Sequence, residues 1–454
     1  MSRSAAYARL FSLVGLLASP GAALSQEARE EPGVEVLSEG QVARDPDGFP
    51  LVEPHLAVNP LDPNHLIGVA IVVTEPDVTE SRCAAFASFD SGRTWARHDF
   101  ELDEPCGDPW VAFAPDGTVL VALLGDEVLV FRSTDGGRSW SDEPVSLGSS
   151  HDHQTMVVAQ GETPGSGTVY VVSTQTAERP ETGRRLNSVF VARSTDNGLT
   201  FEDAERLFPL GLSFNTMTPV VLTDGMLIIP FSDYSRVAAN GDNIWLREQR
   251  DWVVTSSDGG RTFSVPFLVS TVCERSFPSM AVDLSSSPFR DQLYYICNDR
   301  DFEAIYLHFS PNGRRWSDPI RVNRVTSEWK SPQPYVRTPA IAVSGDGVLG
   351  VSWYDGRNGG GAYLGIFRCQ HIYFTASLDG GRSFLPAVQI SKELSCPNTP
   401  ENGEAGRRWP GGGDYHGLVA RPDGDFQILW AESRGGLYEL RTARVHVSGE
   451  VSQE

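Results

Sequence analysis

One short phrase recurs six times along this chain, and no other feature restricts its fold as much. The copy STDGGRSW runs from Ser133 to Trp140, with Ser133, Asp135, Gly137 and Trp140 at fixed spacing. SFDSGRTW (88–95), STDNGLTF (194–201), SSDGGRTF (256–263) and SLDGGRSF (377–384) repeat it, and SPNGRRW (310–316) is a copy one residue shorter with Asn312 for Asp. Each reads as a hairpin corner. A short Asp side chain accepts hydrogen bonds from the N–H groups that follow it. The Gly supplies a positive φ, and the terminal Trp or Phe starts the next strand and buries a large apolar surface. Asp90, Asp135, Asp196, Asp258 and Asp379 are therefore structural residues in this reading.

Around each octet, short β-branched and aromatic runs alternate with Gly, Asp and Pro turns, and helical periodicity is nearly absent. Strand phrases such as PHLAVNP (54–60) and PWVAFAPDG (109–117) come first, then TVLVALLG (118–125) or VLGVSWYD (348–355). A third strand leads into the octet and a fourth leaves it. Four strands per unit predicts an all-β propeller. Seven units start near Glu53, Asp108, Asp152, Thr216, Phe277, Arg337 and Asp414; six blades is the alternative count. The seventh unit lacks a fourth strand, and GVEVLSEG (33–40) is expected to supply it and close the ring. The expected organisation is 1–25 signal, 26–52 N-terminal segment with the closing strand, 53–447 propeller and 448–454 tail. The stretches 176–187, 234–250, 356–370 and 392–413 read as loops, with the Gly-rich 401–413 as a mobile one.

The octets resemble the Asp-box, or bacterial neuraminidase repeat, of the sialidase superfamily, over roughly residues 50 to 446. The resemblance implies a propeller with its active site on the face opposite the octets. Sialidases also carry an Arg-Ile-Pro motif in the first strand and three arginines that grip the substrate carboxylate. Here the first unit reads FPLVEPHLAV, without that Arg.

Arg3 and Arg9, the apolar LFSLVGLLASPGAAL and Ala23-Leu24-Ser25 form a secretory signal pattern. That apolar run is too short to span a bilayer comfortably, and no other is long enough. Six cysteines fit an exported, secreted or periplasmic chain. They fall into neighbouring pairs, Cys83 with Cys106, Cys273 with Cys297 and Cys369 with Cys396. The formal charge of −22, with Lys330 and Lys392 the sole lysines, argues against nucleic acid and anionic membrane as partners. A glycan or another acidic or polar small ligand is the expected partner.

Loops entering the first strands converge on the channel mouth, where a ligand site is expected. Aligning units on strand one puts Glu53, Asp108, Asp152, Arg337 and Asp414 at one register, with His55, His153, Tyr335 and His416 beside them. Asp108, Asp152, His153, Arg337, Tyr335 and His416 are the catalytic candidates, and Arg357, Arg434, Asp355 and Trp110 the substrate-binding ones. Arg357 and Arg434 also fit ion pairs inside the blades, with Asp355 and Glu432. Glu53, His55 and Asp414 are candidate ligands for a cation, Ca²⁺ from the oxygen-rich set or Zn²⁺ if the histidines dominate. Two functions compete: a glycosidase or polysaccharide lyase working at the mouth, and a propeller that binds glycan or protein without catalysis.

Overall fold

The computed structural model describes residues 31–75, 77–179, 184–208, 214–237, 243–273, 277–324, 335–358 and 369–452. The expected signal (1–25) and most of the expected loop at 356–370 lie outside them. Residues 32–454 form one compact unit. It is a seven-bladed propeller of antiparallel blades, spanning 51–100, 107–149, 151–206, 214–270, 279–321, 336–389 and 417–448. In the fourth blade the innermost strand is broken into Phe214–Thr216 and Val220–Val221, which pair with the same neighbour. The seventh blade is completed from the other end of the chain. Strand Gly33–Ala43 pairs antiparallel with Leu437–Ser448, from Gly33 opposite Ser448 to Ala43 opposite Leu440.

Blades stack face to face, so their middle strands are covered on both sides and lose the two-residue alternation of a half-exposed strand. Leu293–Asn298 and Leu349–Asp355 are buried at every position. Tyr294, Ile296, Leu307, Val336, Val351 and Trp353 form one such interlayer between the fifth and sixth blades. Gly350 lets the sixth and seventh blades approach: a Cβ there would sit 2.5 Å from the Phe426 ring.

Every octet joins the third and fourth strands of its blade. In the second blade Asp135 Oδ1 accepts the N–H groups of Arg138 (3.1 Å) and Ser139 (2.9 Å), and Oδ2 accepts the Ser139 hydroxyl (2.6 Å). Ser133 Oγ donates to Asp135 and accepts the Gly137 N–H at 2.8 Å. Asp90, Asp258 and Asp379 repeat this pattern, and Asp196 repeats it at Thr200. In the short copy Asn312 accepts from Arg314 and Arg315 instead.

The three disulfides join Cys83 to Cys106, Cys273 to Cys297 and Cys369 to Cys396, as their spacing suggests. Cys83 and Cys297 lie on blade strands and their partners Cys106 and Cys273 in the connections between neighbouring blades, whereas Cys369 and Cys396 flank the last two strands of the sixth. They fit an oxidising compartment. Among the described residues no helix is long and apolar enough to cross a membrane.

Three expected loops are structured. Strands Val169–Arg179 and Arg184–Ser194 stay paired out to Arg179 opposite Arg184, so 176–187 is a hairpin extension. Leu227–Val237 and Asn243–Ser256 extend 234–250 in the same way, because antiparallel partners continue while their backbone groups match. The expected mobile segment 401–413 contains helix Gly403–Arg408 and packs inward, with Trp409 and 410–413 buried. Its glycines serve close packing: a Cβ on Gly406 would lie 2.1 Å from the Pro397 carbonyl oxygen.

Two acids should shape stability against pH with opposite signs. Hydrogen bonds from Ser139 hold the Asp135 carboxyl down at about 2, so its contribution is present above the usual carboxylate range and is lost as pH falls from about 4 to 2. Asp251, fully buried, is pushed up to about 7 by burial, although Ser232 and Gln249 donate to its Oδ1 at 2.6 and 2.7 Å. Its contribution is present below about pH 4 and is lost as pH rises towards 7. Thermal midpoints across pH should show Asp251→Asn flattening the slope between pH 4 and 7, and Asp135→Asn flattening the slope below pH 4. A slope unchanged by either substitution refutes that assignment.

Candidate functional site

The innermost strands end in matching pairs, Val58–Leu66, Phe113–Val119, Val158–Val169, Val221–Leu227, Val282–Leu293, Val343–Leu349 and Ala420–Phe426. Counting back equally from them, the mouth-facing register is Glu53, Asp108, His153, Thr216, Phe277, Thr338 and Tyr415. Glu53 and Asp108 stand where the sequence register put them. Asp152, Arg337 and Asp414 do not, since each lies one residue upstream. A β-bulge lies at this register in four blades: pairing slips between Val52 and His55, Gly107 and Trp110, Asp152 and Thr155, and Arg337 and Ala340. Counting in twos fails across an inserted residue. The bulge residues Glu53, Asp108, His153 and Thr338 have φ of 52, 44, 51 and 51°. None is glycine, and such strain costs about 1–3 kcal/mol each. A repeated Pro could have revealed this register: Glu53-Pro54, Asp108-Pro109, Phe277-Pro278 and Thr338-Pro339 share it. Thr338 is a mouth residue that the strand-one alignment missed, and Phe277 and Tyr415, at the unit entrances, were not among its candidate site residues.

The bulges gather acids. Glu53 is 2% exposed. Its N–H donates to the Gly412 carbonyl at 2.8 Å, and its Oε1 accepts the Asp414 N–H at 3.3 Å. Its side chain neighbours the Asp108 carboxyl. Burial, then the charges of Asp414 and Asp108, push its carboxyl well above the usual range. Asp414 is raised too, by burial first, with His153 and Arg337 pulling the other way. Asp108 Oδ2 accepts the His153 N–H at 3.1 Å. The His153 ring sits between two acids, Nδ1 4.0 Å from Asp108 Oδ2 and Nε2 3.9 Å from Asp152 Oδ2. Asp152 is the outer member, its side chain 58% exposed against 16% for Asp108.

Below these acids lies a cavity of about 120 Å³, lined by Asp108, Trp110, His153, Phe277, Tyr415 and His416 among others. His55 stacks on Trp110 with ring centroids 3.7 Å apart, and its Nδ1 accepts the Val111 N–H at 3.3 Å. His416 Nε2 meets Ser352 Oγ at 2.6 Å. Burial pushes both imidazoles down to about 3, so both are neutral at pH 7. The two line one cavity, yet His55 engages the second blade and His416 the sixth. Tyr415 donates to the Pro109 carbonyl at 3.3 Å.

Arg337 stands at the rim. Its Nη1 donates to Tyr335 Oη at 3.2 Å and its guanidinium lies 5.5 Å from the Phe302 ring. Its Nε is buried without an acceptor among the described residues. Arg357 and Arg434 instead serve their own blades. Arg357 pairs with the fully buried Asp355 at 2.7 Å, and Asp355 also accepts the Trp353 indole N–H. Arg434 pairs with Glu432 at 2.7 Å, and Glu432 accepts the Trp430 indole N–H. These matching W-x-D/E-x-R units make the two arginines internal supports.

The expected cation set is not assembled as a cage: Glu53 and His55 spend their groups on Asp414, Asp108 and Val111. Ligand-type atoms of Asp108, Asp152 and His153 do lie within 4.8 Å of one another. Asp108 and Asp152 both turn an oxygen to the His153 N–H, however, and no cation is assigned to them.

No protein-family model and no curated protein matches the chain. Solved structures do. A protein of unknown function from Dyadobacter fermentans is 13% identical, with a TM-score of 0.51 over 92% of this chain and 100% of that one. A Hadza microbial sialidase, Hz136, is 16% identical, with a TM-score of 0.49 over 89% of this chain and 68% of that one. An α-L-arabinofuranosidase from Fusarium graminearum is 12% identical, with a TM-score of 0.46 over 71% and 93%. At these identities the likeness shows the propeller fold.

Gly412 receives the Glu53 N–H, and a Cβ on it would lie 2.6 Å from Ala431 Cβ and 2.9 Å from the Ala431 carbonyl oxygen, at φ 73°. Gly412→Ala should cost about 1–3 kcal/mol, the range for an overpacked core site. Chemical denaturation checks this; an unchanged midpoint means the segment is not seated on Glu53 as described.

Proposed function

We propose that this chain is an exported enzyme of the sialidase-like superfamily that cleaves glycosidic bonds at the channel mouth. The observation that carries the reading is the strained register. Left-handed, non-glycine residues at matching bulges bring Glu53, Asp108 and His153 together beside Asp414. Strain of this kind persists where a function needs the side chain aimed.

Glycoside hydrolysis needs two carboxyl groups in different protonation states. Asp414, raised by burial, suits the general acid that protonates the leaving oxygen. Asp108, reaching the cavity and accepting the His153 N–H, suits the carboxylate that activates water or attacks the sugar carbon. Trp110, Phe277 and Tyr415 offer ring faces to a sugar. Arg337, partly exposed, suits an anionic substituent. The signal pattern at 1–25 and the three disulfides support export.

A lyase reading draws on His153 between Asp108 and Asp152, which could take a proton next to a uronate carboxylate held by Arg337. Unsaturated products, seen by their ultraviolet absorbance, separate it from hydrolysis.

The test is a screen of the mature protein on glycosides and acidic polysaccharides, with and without a chelator. Asp108→Asn should lower turnover by about 10²–10⁴-fold with little change in thermal midpoint. Glycan binding at the mouth without turnover of any substrate leaves a binding protein and sinks the enzyme reading.

A further inference from the structure

Glu53 is the most enclosed acid of the mouth, too buried to touch a ligand at 2% exposure. It is nevertheless built in from three sides. The Gly412 carbonyl takes its N–H, the Asp414 N–H reaches Oε1 at 3.3 Å, and the Asp108 carboxyl neighbours the side chain. A Cβ on Gly413 would lie 2.7 Å from the Glu53 Cα, so the strap at 409–413 is pressed against this residue.

Two carboxyl groups share a hydrogen bond when one of them carries a proton, because an ionised carboxylate only accepts. The partners decide which one. Glu53 Oε1 accepts the Asp414 N–H, and Asp108 is the carboxyl neighbour of the same side chain. Asp108 is the more exposed group and already accepts the His153 N–H at 3.1 Å. The charged groups acting on Glu53 are Asp414 and Asp108, both acidic. Tyr415, packed beside them, is neutral at pH 7 because burial pushes its phenol well up. The cations Arg337 and Arg408 act on Asp414, one group further out. An anionic Glu53 would thus be a third buried carboxylate with acids as its charged neighbours.

We propose that Glu53 is a positioning residue: a neutral carboxylic acid that donates its proton to Asp108 and so presents Asp108 to the cavity as an oriented anion. The consequence for turnover rests on the reading of Asp108 given above, whereas the shared proton stands apart from it. Glu53 would then hold Asp108 at the angle its bulge sets and stop it from rotating away.

Infrared difference spectroscopy of the folded protein at pH 7 reads the proton without any substrate. Wild type minus Glu53→Gln should show the loss of one protonated-carboxyl C=O band, sensitive to deuterium exchange. Asp108→Asn should keep that band. No band lost in Glu53→Gln, or the band lost in Asp108→Asn instead, overturns the assignment. Turnover supplies the second arm. A Gln amide still donates to Asp108, so Glu53→Gln should stay close to wild type, while Glu53→Ala should lose on the order of 10²-fold. Equal losses in both variants, each with an unchanged thermal midpoint, overturn the positioning role. Full activity in Asp108→Asn refutes the catalytic reading and leaves the infrared result standing.

Discussion

The pairing of Gly33–Ala43 with Leu437–Ser448 is the interaction on which the rest of the molecule depends. Without it the seventh blade would end in an open edge, and the apolar packing of Leu51, Val52 and Leu56 on Leu429, Ala431 and Leu440 would alone join it to the first blade. Charge reinforces the hydrogen bonds. Glu39, nearly buried on the closing strand, meets Arg441 of the adjacent strand at 3.3 Å and Arg434 of the next strand in at 3.1 Å. Because the ring is closed, the first and seventh blades are neighbours, and that brings Glu53 beside Asp414 across 361 positions of sequence.

The two ends of each blade do different work. At one end the octets satisfy local backbone groups and bury an aromatic ring, blade after blade, with nearly the same atoms. At the other end the bulges break the repeat, and blades one, two and three present Glu53, Asp108 and His153 where others present Thr216 or Phe277. Uniformity therefore marks the octet end and irregularity the mouth. The arginines follow the same division, with Arg357 and Arg434 repeated as supports and Arg337 single at the rim.

Much of this was legible in the chain itself. The octets, the four-strand units, the blade count, the closing strand and the cysteine pairs are local or periodic signals, and the structure carries them. The mouth was legible as a place and as a residue pool, but not as a geometry. Asp152, Arg337 and Asp414 were put at the mouth register by aligning the strand-one phrases, one residue away from where the strand pairing puts that register. Arg357 and Arg434 looked available until the Trp–carboxylate partners beside them were known. The segment 401–413 looked mobile because glycine also marks flexible linkers, whereas here it permits backbone contacts closer than any side chain would allow.

Ring closure also has a temporal side. Gly33 and Ser448, which hydrogen-bond in the finished protein, are 415 residues apart. A chain made or threaded across a membrane from its amino end exposes the closing strand first and its partner last. Through that whole interval an 11-residue β-segment must wait unpaired, and contacts between such distant residues form slowly. Six blades can assemble on neighbour contacts alone, but the mouth cannot. Its acids come from both ends of the polypeptide, so a partly delivered chain would hold Asp108 without Asp414. Whatever the mouth does, it becomes able to do it only at the final step of assembly, a built-in delay that keeps an unfinished molecule inert.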